Sequence, residues 1–232
     1  MNVNRLADPK RQGLAHYPGQ FLRFFLALHY ALMLGLDGAD TSRGILEDGG
    51  DFHQMAAEIS GQARDSAKTI NLGVMYGMGR KTLERTLTKL SGSKSFQANR
   101  VLSLYHERLP WVKDLQRTMH EIAKKKGYIS TWSGRRRRYL EWEDGPWGRT
   151  RKYAHNALNA LCQGTAADMT KKAILDVHAQ LGKVPLLQVH DELCFSVESE
   201  EETQELARIM GQALPLRVSQ PVDIHIGTTW AG

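Results

Sequence analysis

Two apolar runs near the C-terminus give the clearest structural signal in the sequence. Residues 186–189 and 193–197 are largely apolar, and only His190, Asp191 and Glu192 separate them. Short apolar runs joined by a few polar residues are typical of two buried strands and their turn. The pattern therefore predicts a β-hairpin with a polar tip.

Helical periodicity dominates the rest of the chain. It predicts helices over 21–36, 51–90, 100–126 with a break at Pro110, and 150–182. Ser199, followed three residues later by Glu202, predicts a capped helix start. The apolar face of that helix would hold Leu206, Ile209, Met210, Ala213 and Leu214.

Short strands and loops complete the predicted architecture. Strands are expected within 127–140, on either side of a turn, and at 222–226. Irregular segments are expected at 1–20, 35–50 and 145–148. Because helices dominate and the strands suit a small antiparallel sheet, the expected fold class is α+β.

Charge adds information about the partner. The chain has 232 residues, of which 41% are hydrophobic, enough for one sizeable core, and its formal net charge is +6. Cations cluster at 124–126 and 135–138, whereas the acidic run 198–202 lies apart from them. These clusters favour a polyanionic partner such as nucleic acid.

Cysteine usage and hydropathy favour a cytoplasmic protein. Cys162 and Cys194 each lie in an apolar stretch, which indicates two buried thiols in a reducing compartment. The apolar segment 21–36 is shorter than a bilayer span and contains Arg23 and His29. We interpret it as a buried helix and expect no membrane partner.

Arg64, Lys68, Leu72 and Tyr76 follow one another at intervals of four residues. On a helix such residues drift by only about 40° per step and form one stripe. The stripe suits a nucleoside triphosphate, because the cations would meet phosphates and the apolar groups would meet sugar and base. An amphipathic helix with two solvated cations also explains the spacing, and spacing alone favours that alternative.

Asp191 and Glu192 lie between two strands that are predicted to be buried. Acids in such a place are costly unless they face solvent or a cation. A hard ion such as Mg²⁺ takes oxygen ligands of this kind. An ordinary polar hairpin turn, in which Asp is common, accounts for them equally well.

The stretch 159–168 combines two amides, one helical turn apart, with small residues. The small residues at 164–167 would let another backbone or a duplex come close. Asn159 and Gln163 could then reach minor-groove acceptors. A helix packed tightly through its small residues is the alternative, and composition alone favours it.

These three segments, in this order, resemble family A (DNA polymerase I-like) DNA polymerases. Residues 64–79 resemble the motif B helix of the fingers, 188–197 the motif C hairpin of the palm, and 159–174 the palm helix that touches primer-template DNA. Shorter matches at 49–57, 105–112 and 127–137 agree with them. The resemblance runs from about residue 49 to the end of the chain and implies a palm with helical fingers.

The resemblance implies a template-directed DNA polymerase that transfers a nucleotide from a dNTP to a primer 3′-hydroxyl with the help of two Mg²⁺ ions. It assigns Arg64 and Lys68 to the triphosphate, with His53 nearby. It assigns Leu72 to the nucleotide sugar and Tyr76 to the nascent base pair. A location in a bacterial cell or a phage-infected host follows from the same resemblance.

The metal and DNA contacts are implied in the same way. Asp191 would hold the metal ions with Glu192 beside it, and these two residues and Lys68 are the expected catalytic residues. The residues assigned to DNA are Arg135 and Arg136 on the backbone, Asn159 and Gln163 in the minor groove, and His190 near the primer end.

The sequence departs from the family pattern at four positions. Leu72 replaces an aromatic residue, and His155 replaces an arginine. When residues 16–23 are aligned with motif A, His16 stands where the family has a metal-binding Asp. Phe21 then stands where it has the Glu that excludes ribonucleotides. A neutral imidazole offers one nitrogen and cannot bridge two hard ions. The nearest other carboxylates are Asp8, Asp37 and Asp40.

The resemblance divides the chain into an irregular segment at 1–20, a palm-like helix and loop at 21–50, fingers at 51–125 and palm at 126–232. The family's thumb and exonuclease-like domain have no counterpart. One hypothesis is a shortened polymerase, a product of a split gene or a phage-type remnant, weakly active or inactive alone. A second chain would then supply the thumb and the motif A carboxylate. The alternatives are a catalytically inactive DNA-binding module and a single-subunit RNA polymerase.

Overall fold

The computed structural model describes the backbone of residues 12–16, 19–91, 98–145 and 148–227, and their side chains apart from residues 12–16, 19–23 and 91. The chain divides into two compact units. One combines residues up to 22 with those from 166 onward, and the other consists of residues 23–165. The assignment of fingers and palm to stretches of sequence stays a prediction.

Helices form most of the described chain, and the strands are short. The helices are α1 (Gly19–Met33), α2 (Ala39–Glu47), α3 (Phe52–Ser60), α4 (Arg64–Met75), α5 (Arg80–Ser91), α6 (Ala98–Arg108), α7 (Pro110–Lys126), α8 (Ala157–Leu181) and α9 (Glu200–Gly211). The strands are β1 (Gln12–His16), β2 (Tyr128–Ser130), β3 (Arg136–Arg138), β4 (Trp142–Gly145), β5 (Gly148–Arg151), β6 (Leu187–Val189), β7 (Glu192–Ser196) and β8 (Asp223–Gly227). The expected α+β class is confirmed.

Strand β1 lies inside a four-stranded antiparallel sheet with the order β6-β7-β1-β8. His16 pairs with Glu192 of β7 on one side and with Asp223 of β8 on the other. The prediction of an irregular segment over residues 1–20 is therefore wrong for 12–16. The segment QGLAH shows no alternation, and its partners lie in distant parts of the chain, so it carries no local strand signal.

The predicted C-terminal hairpin and helix supply the core of this sheet unit. β6 and β7 pair as expected, and Leu193 and Phe195 of β7 are fully buried. α9 packs against β1 and β8. The Ser199 hydroxyl caps α9 by accepting a hydrogen bond from the N–H of Glu202 at 3.2 Å. The predicted apolar face is confirmed, since all five of its residues are buried: Leu206, Ile209, Met210, Ala213 and Leu214.

The apolar segment after residue 20 is a buried helix, as predicted. Phe24 of α1 stacks on Phe52 with ring centroids 4.5 Å apart and meets Trp111 edge-on at 5.5 Å. The Trp111 indole donates a hydrogen bond to Ser42 Oγ at 2.9 Å, which satisfies a buried N–H. No helix among the described residues is long and apolar enough to cross a membrane.

Two stretches that were expected to be loops contain regular elements. α2 lies in the Gly-rich stretch 35–50, where Gly38 turns the chain into the helix with φ 77°. β4 and β5 form a hairpin around the stretch 145–148, in which Pro146 lies outside the described residues. Glycine and proline mark the ends of short elements as well as loops, and here their density hides the elements between them.

Candidate functional site

The stripe of four residues lies along one partly exposed side of α4 and its C-terminal end. The side chains of Arg64 and Lys68 are 40% and 29% exposed, and Leu72 and Tyr76 are half-buried. The opposite side of α4 is buried through Ala67, Ile70, Val74 and Met75. The structure therefore brings the four predicted residues together on one surface.

An acid outside the stripe holds Arg64. Asp51 caps α3 by accepting hydrogen bonds from the N–H groups of His53 at 2.8 Å and Gln54 at 3.2 Å. Its second oxygen accepts a hydrogen bond from Arg64 Nε at 2.5 Å. Burial alone would raise the pKa of the Asp51 carboxyl, but these hydrogen bonds and the Arg64 charge lower the pKa below its ordinary value. Asp51 stays ionised and fixes Arg64 against α3.

Lys68 is held less firmly than Arg64. Its ammonium nitrogen lies 3.0 Å from an oxygen of Asp65, whose side chain is 88% exposed. The hydrogen bond and the charge of Lys68 lower the pKa of the Asp65 carboxyl. An exposed ion pair within one helical turn is nevertheless weak, because solvent screens it. A phosphate group could displace Asp65 and bind Lys68 in its place.

A buried chain of hydrogen bonds links α3, α4 and α6 behind the stripe. The Tyr105 hydroxyl donates to Asn71 Oδ1 at 2.5 Å, and Asn71 Nδ2 lies 2.9 Å from His53 Nδ1. Burial raises the pKa of Tyr105, so its hydroxyl stays protonated and remains the donor. Neutral His53 accepts from Asn71. His53, expected near the triphosphate, is only 1% exposed and acts as a buried support of α4.

The free energy of unfolding is expected to fall as the pH drops below about 6.5, partly because of His53. Burial is the main cause of the lowered His53 pKa. The Asp51 carboxylate opposes this effect, while Arg64 and Lys68 reinforce it. A histidine with a lowered pKa stabilises the fold fully above its ordinary value of 6.5, and the contribution is lost as the pH falls through the folded-state pKa. In urea unfolding, His53→Gln should show a smaller pH effect than the wild type. The exposed control His155→Gln should match the wild type, and an equal pH effect in all three proteins would contradict this account.

The C-terminal end of α4 is capped by a side chain of α7. Gln116 Nε2 donates to the carbonyl oxygens of Val74 at 2.8 Å and Met75 at 2.7 Å. A helix end leaves such acceptors unsatisfied. Tyr76 follows at once, and Gly77 turns the chain with φ 91°. Gln116 therefore fixes the backbone from which the aromatic ring of the stripe projects.

Sequence reasoning missed four residues that support the stripe: Asp51, Asn71, Tyr105 and Gln116. Asp51 has a usable local signal, since an Asp just before an apolar helical segment is typical of an N-cap. The other three act through contacts between helices that are distant in sequence, and periodicity along the chain does not show such contacts.

The tip of the β6–β7 hairpin presents the three expected residues. His190 has a left-handed backbone with φ 54°, which is uncommon for a residue other than glycine. Asp191 and Glu192 follow it and are half-buried. Neither carboxylate has a cationic side-chain partner within the described part of the chain. Such carboxylates favour a cation supplied from outside the chain.

The side chains at this hairpin tip supply only part of a site for a hard divalent cation. Carboxylate oxygens are the ligands that Mg²⁺ prefers. Among the described residues, no group of three or more His, Cys, Asp or Glu side chains is placed to hold a metal. Asp191 and Glu192 therefore do not by themselves form a metal site, and the expected Mg²⁺ at this tip stays a prediction.

The neighbouring strand places residue 16 beside this tip. β1 ends at His16, which pairs with Glu192, and α1 begins at Gly19. A strand that ends beside the acidic hairpin and leads into a helix is consistent with the motif A alignment of residues 16–23. The side chains of His16 and Phe21 lie outside the described residues.

The basic cluster at 135–138 is attached to the first half of α8. Arg135 Nη2 donates to the carbonyl oxygen of Gly164 at 2.8 Å. A Cβ atom on Gly164 would clash with Thr131 Cγ2. The turn between β2 and β3 therefore approaches α8 so closely that position 164 needs glycine. Packing inside the protein therefore accounts for the small residue at position 164.

The two amides of α8 come just before this contact in the sequence, with Gln163 next to Gly164. Gln163 is exposed, Asn159 is half-buried, and Gln163 Nε2 donates to Asn159 Oδ1 at 2.8 Å. Arg136 is exposed, and its guanidinium carbon lies 4.5 Å from the centroid of the Tyr128 ring. The structure thus brings Arg135 next to the two amides, around the first half of α8.

This arrangement is the fold of a polymerase domain. The chain superposes on the polymerase domain of Pol1 from M. smegmatis, solved in complex with DNA primer-template and dNTP, with a TM-score of 0.76 and 30% sequence identity. The superposition covers 97% of this chain and 41% of that one. The model of the DNA polymerase family A matches residues 46–232, and the chain belongs to this family.

Two curated relatives agree with the family assignment. A DNA-directed DNA polymerase of Pseudomonas phage M6 is 33% identical over 232 aligned residues, which cover 87% of this chain and 34% of the relative. DNA polymerase I of Bacillus caldotenax is 36% identical over 189 residues, covering 77% of this chain and 21% of the relative. The chain spans about a third or less of the length of these relatives.

Proposed function

We propose that the chain is a template-directed DNA polymerase that transfers a nucleotide from a dNTP to the 3′-hydroxyl of a primer. The observation that carries this proposal is the half-buried pair Asp191 and Glu192, which has no cationic partner in the described part of the chain. Carboxylates in that state suit the hard cations of phosphoryl transfer. Membership of family A supports the same reaction class.

In the proposed reaction, the primer 3′-oxygen forms a bond to the α-phosphorus of the dNTP. The bond from that phosphorus to the pyrophosphate oxygen breaks, and the hydroxyl proton is lost to solvent. Asp191 and Glu192 would hold Mg²⁺, which when bound neutralises charge on the phosphate oxygens. The chain itself contributes two negative charges at the end of a hairpin that is anchored by the buried residues Leu193 and Phe195.

Lys68 and Arg64 have different parts in the proposed nucleotide site. Lys68 would bind the triphosphate directly, because among the described residues only an exposed acid competes for its ammonium. Arg64 would add positive charge while its Nε atom stays bound to Asp51. Leu72 and Tyr76 would contact sugar and base, with Leu72 lacking the ring of the usual aromatic residue.

Primer-template DNA is the proposed partner, as it is of the M. smegmatis protein to which the chain is similar. Arg135 and Arg136 would contact phosphates, Asn159 and Gln163 the minor groove, and His190 the primer end. Because positively charged side chains would contact the DNA phosphates, DNA affinity is expected to fall as the salt concentration rises. An affinity that does not change with salt concentration would show that the basic cluster at 135–138 is not part of the DNA interface.

We also propose that His16 limits the activity of this chain. Residue 16 pairs with Glu192, and the motif A alignment expects a metal-binding Asp there. Without that carboxylate the site holds a second cation poorly. We expect the chain alone to extend a primer slowly. Extension should be faster when a second chain supplies the missing carboxylate.

A DNA-binding module without catalysis is the second candidate function. The missing carboxylate at position 16 favours this function. Among the described residues, Asp191 and Glu192 have no third acid placed to share a metal with them. Such a module would keep DNA affinity through Arg135, Arg136 and α8 and would have no use for dNTPs.

Extension of a labelled primer on a recessed DNA duplex tests the proposal. With dNTPs and Mg²⁺ the chain is expected to lengthen the primer, more slowly than DNA polymerase I of Bacillus caldotenax does, and chelation of Mg²⁺ is expected to stop extension. Extension as fast as that of the relative would contradict the limit set by His16. Duplex binding without extension would leave the DNA-binding module as the function.

A further inference from the structure

The exposed aromatic rings of the protein are concentrated in one stretch of the chain. In the part of the chain that the structure describes, the large aromatic side chains with high exposure are Trp132 at 43%, Trp142 at 45% and Tyr153 at 53%. Scattered exposed apolar residues are ordinary on protein surfaces. These three rings lie close together in the sequence, between residues 132 and 153, and each is exposed to a planar partner.

Cations accompany each of the rings at the β4–β5 hairpin. The guanidinium carbon of Arg151 lies 4.4 Å from the centroid of the Trp142 ring, and that of Arg149 lies 5.6 Å from it. Lys152 Nζ lies 5.3 Å from the centroid of the Tyr153 ring. Between residues 132 and 153 the sequence has seven Arg and Lys residues and three acids, so this stretch carries much of the positive charge of the chain. The combination of rings and cations matches a partner with flat groups and negative charge.

Arg151 holds the Trp142 ring in place. Trp142 pairs with Arg151 across the hairpin. Arg151 is itself fixed, because its Nε donates to the carbonyl oxygen of Lys124 at 3.0 Å and its Nη1 to that of Tyr139 at 2.9 Å. A ring fixed in this way loses little conformational freedom when a partner stacks on it. Arg149 lies further from the ring and carries no such anchor in the described residues.

The second tryptophan adjoins the candidate DNA interface. Trp132 lies in the turn between β2 and β3, and its backbone N–H donates a hydrogen bond to Thr165 Oγ1 of α8 at 3.3 Å. Arg135 of the same turn donates to Gly164. The turn that presents Trp132 is therefore bound to the helix turn that follows Gln163, one of the residues assigned to the minor groove.

We propose that Trp132, Trp142 and Arg149 form a binding surface for single-stranded DNA. Unpaired bases stack on the two indole rings, and Arg149 binds a phosphate beside a stacked base. A duplex satisfies this surface poorly, since its bases are stacked on one another and offer only their edges. The surface does not depend on nucleotide transfer, so it remains testable in a chain that extends no primer.

Fluorescence anisotropy with the full chain tests the proposal. The probes are a labelled oligothymidylate of about 15 nucleotides, an abasic strand of the same length and a blunt duplex. Trp142→Ala and Trp132→Ala are each expected to weaken oligothymidylate binding by about tenfold. Neither substitution should change binding to the abasic strand or to the blunt duplex by more than about twofold. Trp142→Phe keeps a ring and is expected to retain most of the affinity.

A matched control separates stacking from general loss of apolar surface. Leu140 is 73% exposed and lies two residues before Trp142. Leu140→Ala should leave oligothymidylate binding unchanged. Equal losses on the oligothymidylate and the abasic strand would overturn the proposal, because stacking requires bases. Unchanged oligothymidylate binding in both tryptophan variants would overturn it as well. Unaltered duplex affinity confirms that the variants are folded.

Discussion

Asp191→Ala is expected to lower the rate of primer extension by about a thousandfold. The substitution removes one of the two acids at the tip of the β6–β7 hairpin, and cation-assisted stabilisation of the transferring phosphate is worth several kcal/mol. Affinity for the recessed duplex should stay the same, because the basic cluster and α8 are untouched. Single-turnover extension and anisotropy on the same duplex measure the two quantities separately.

The control for this variant is Glu200→Ala, which removes an exposed acid from the same compact unit. It should extend primers at the wild-type rate. An Asp191→Ala protein that extends as fast as the wild type would show that the hairpin tip is an ordinary polar turn. A loss of duplex binding equal to the loss of extension would show that Asp191 supports the fold rather than the chemistry.

Lys68→Ala is expected to lower kcat/KM for the dNTP by about 10- to 100-fold, because a charge-assisted bond to phosphate is worth about 1.5–3 kcal/mol. The free energy of unfolding should hardly change, since the partner of Lys68 in the folded protein is a highly exposed acid. Arg64→Ala should behave differently. Because Arg64 binds Asp51, the residue that caps α3, its loss should lower stability together with kcat/KM.

Lys81→Ala is the matched control, since Lys81 is an exposed lysine of α5 outside the stripe. It should leave kcat/KM unchanged. Steady-state single-nucleotide incorporation and urea unfolding of the three variants give the comparison. If Lys68→Ala and Lys81→Ala had the same kcat/KM, the stripe would be an amphipathic helix with solvated cations, as its spacing alone suggests.

Local patterns explain which parts of the structure the sequence could predict. The hairpin around Asp191 shows as two apolar runs, the start of α9 as a cap at Ser199, and the stripe of α4 as steps of four residues. Each of these signals lies within about ten neighbouring residues, where periodicity and capping preferences act. The buried helix α1, the break at Pro110 and the two buried thiols follow from local composition in the same way.

Contacts between distant segments explain what the sequence could not show. β1 is a strand because β7 and β8 pair with it on both sides, and its own five residues show no alternation. Gln116 caps α4, and Tyr105 binds Asn71, across large separations in sequence. Gly164 is needed because Thr131 comes close to it, which composition cannot distinguish from a contact with DNA. The same limit applies to the β4–β5 hairpin, whose glycines resemble those of a loop.

Incorporation of single nucleotides opposite each of the four template bases tests the central claim most directly. The recessed duplex is offered one dNTP at a time in the presence of Mg²⁺, and the primer length is measured. The proposed function predicts that only the dNTP complementary to the template base is added, slowly, and that Asp191→Ala adds none at a measurable rate. Intact duplex binding with no addition of any dNTP would contradict the claim and leave a DNA-binding module.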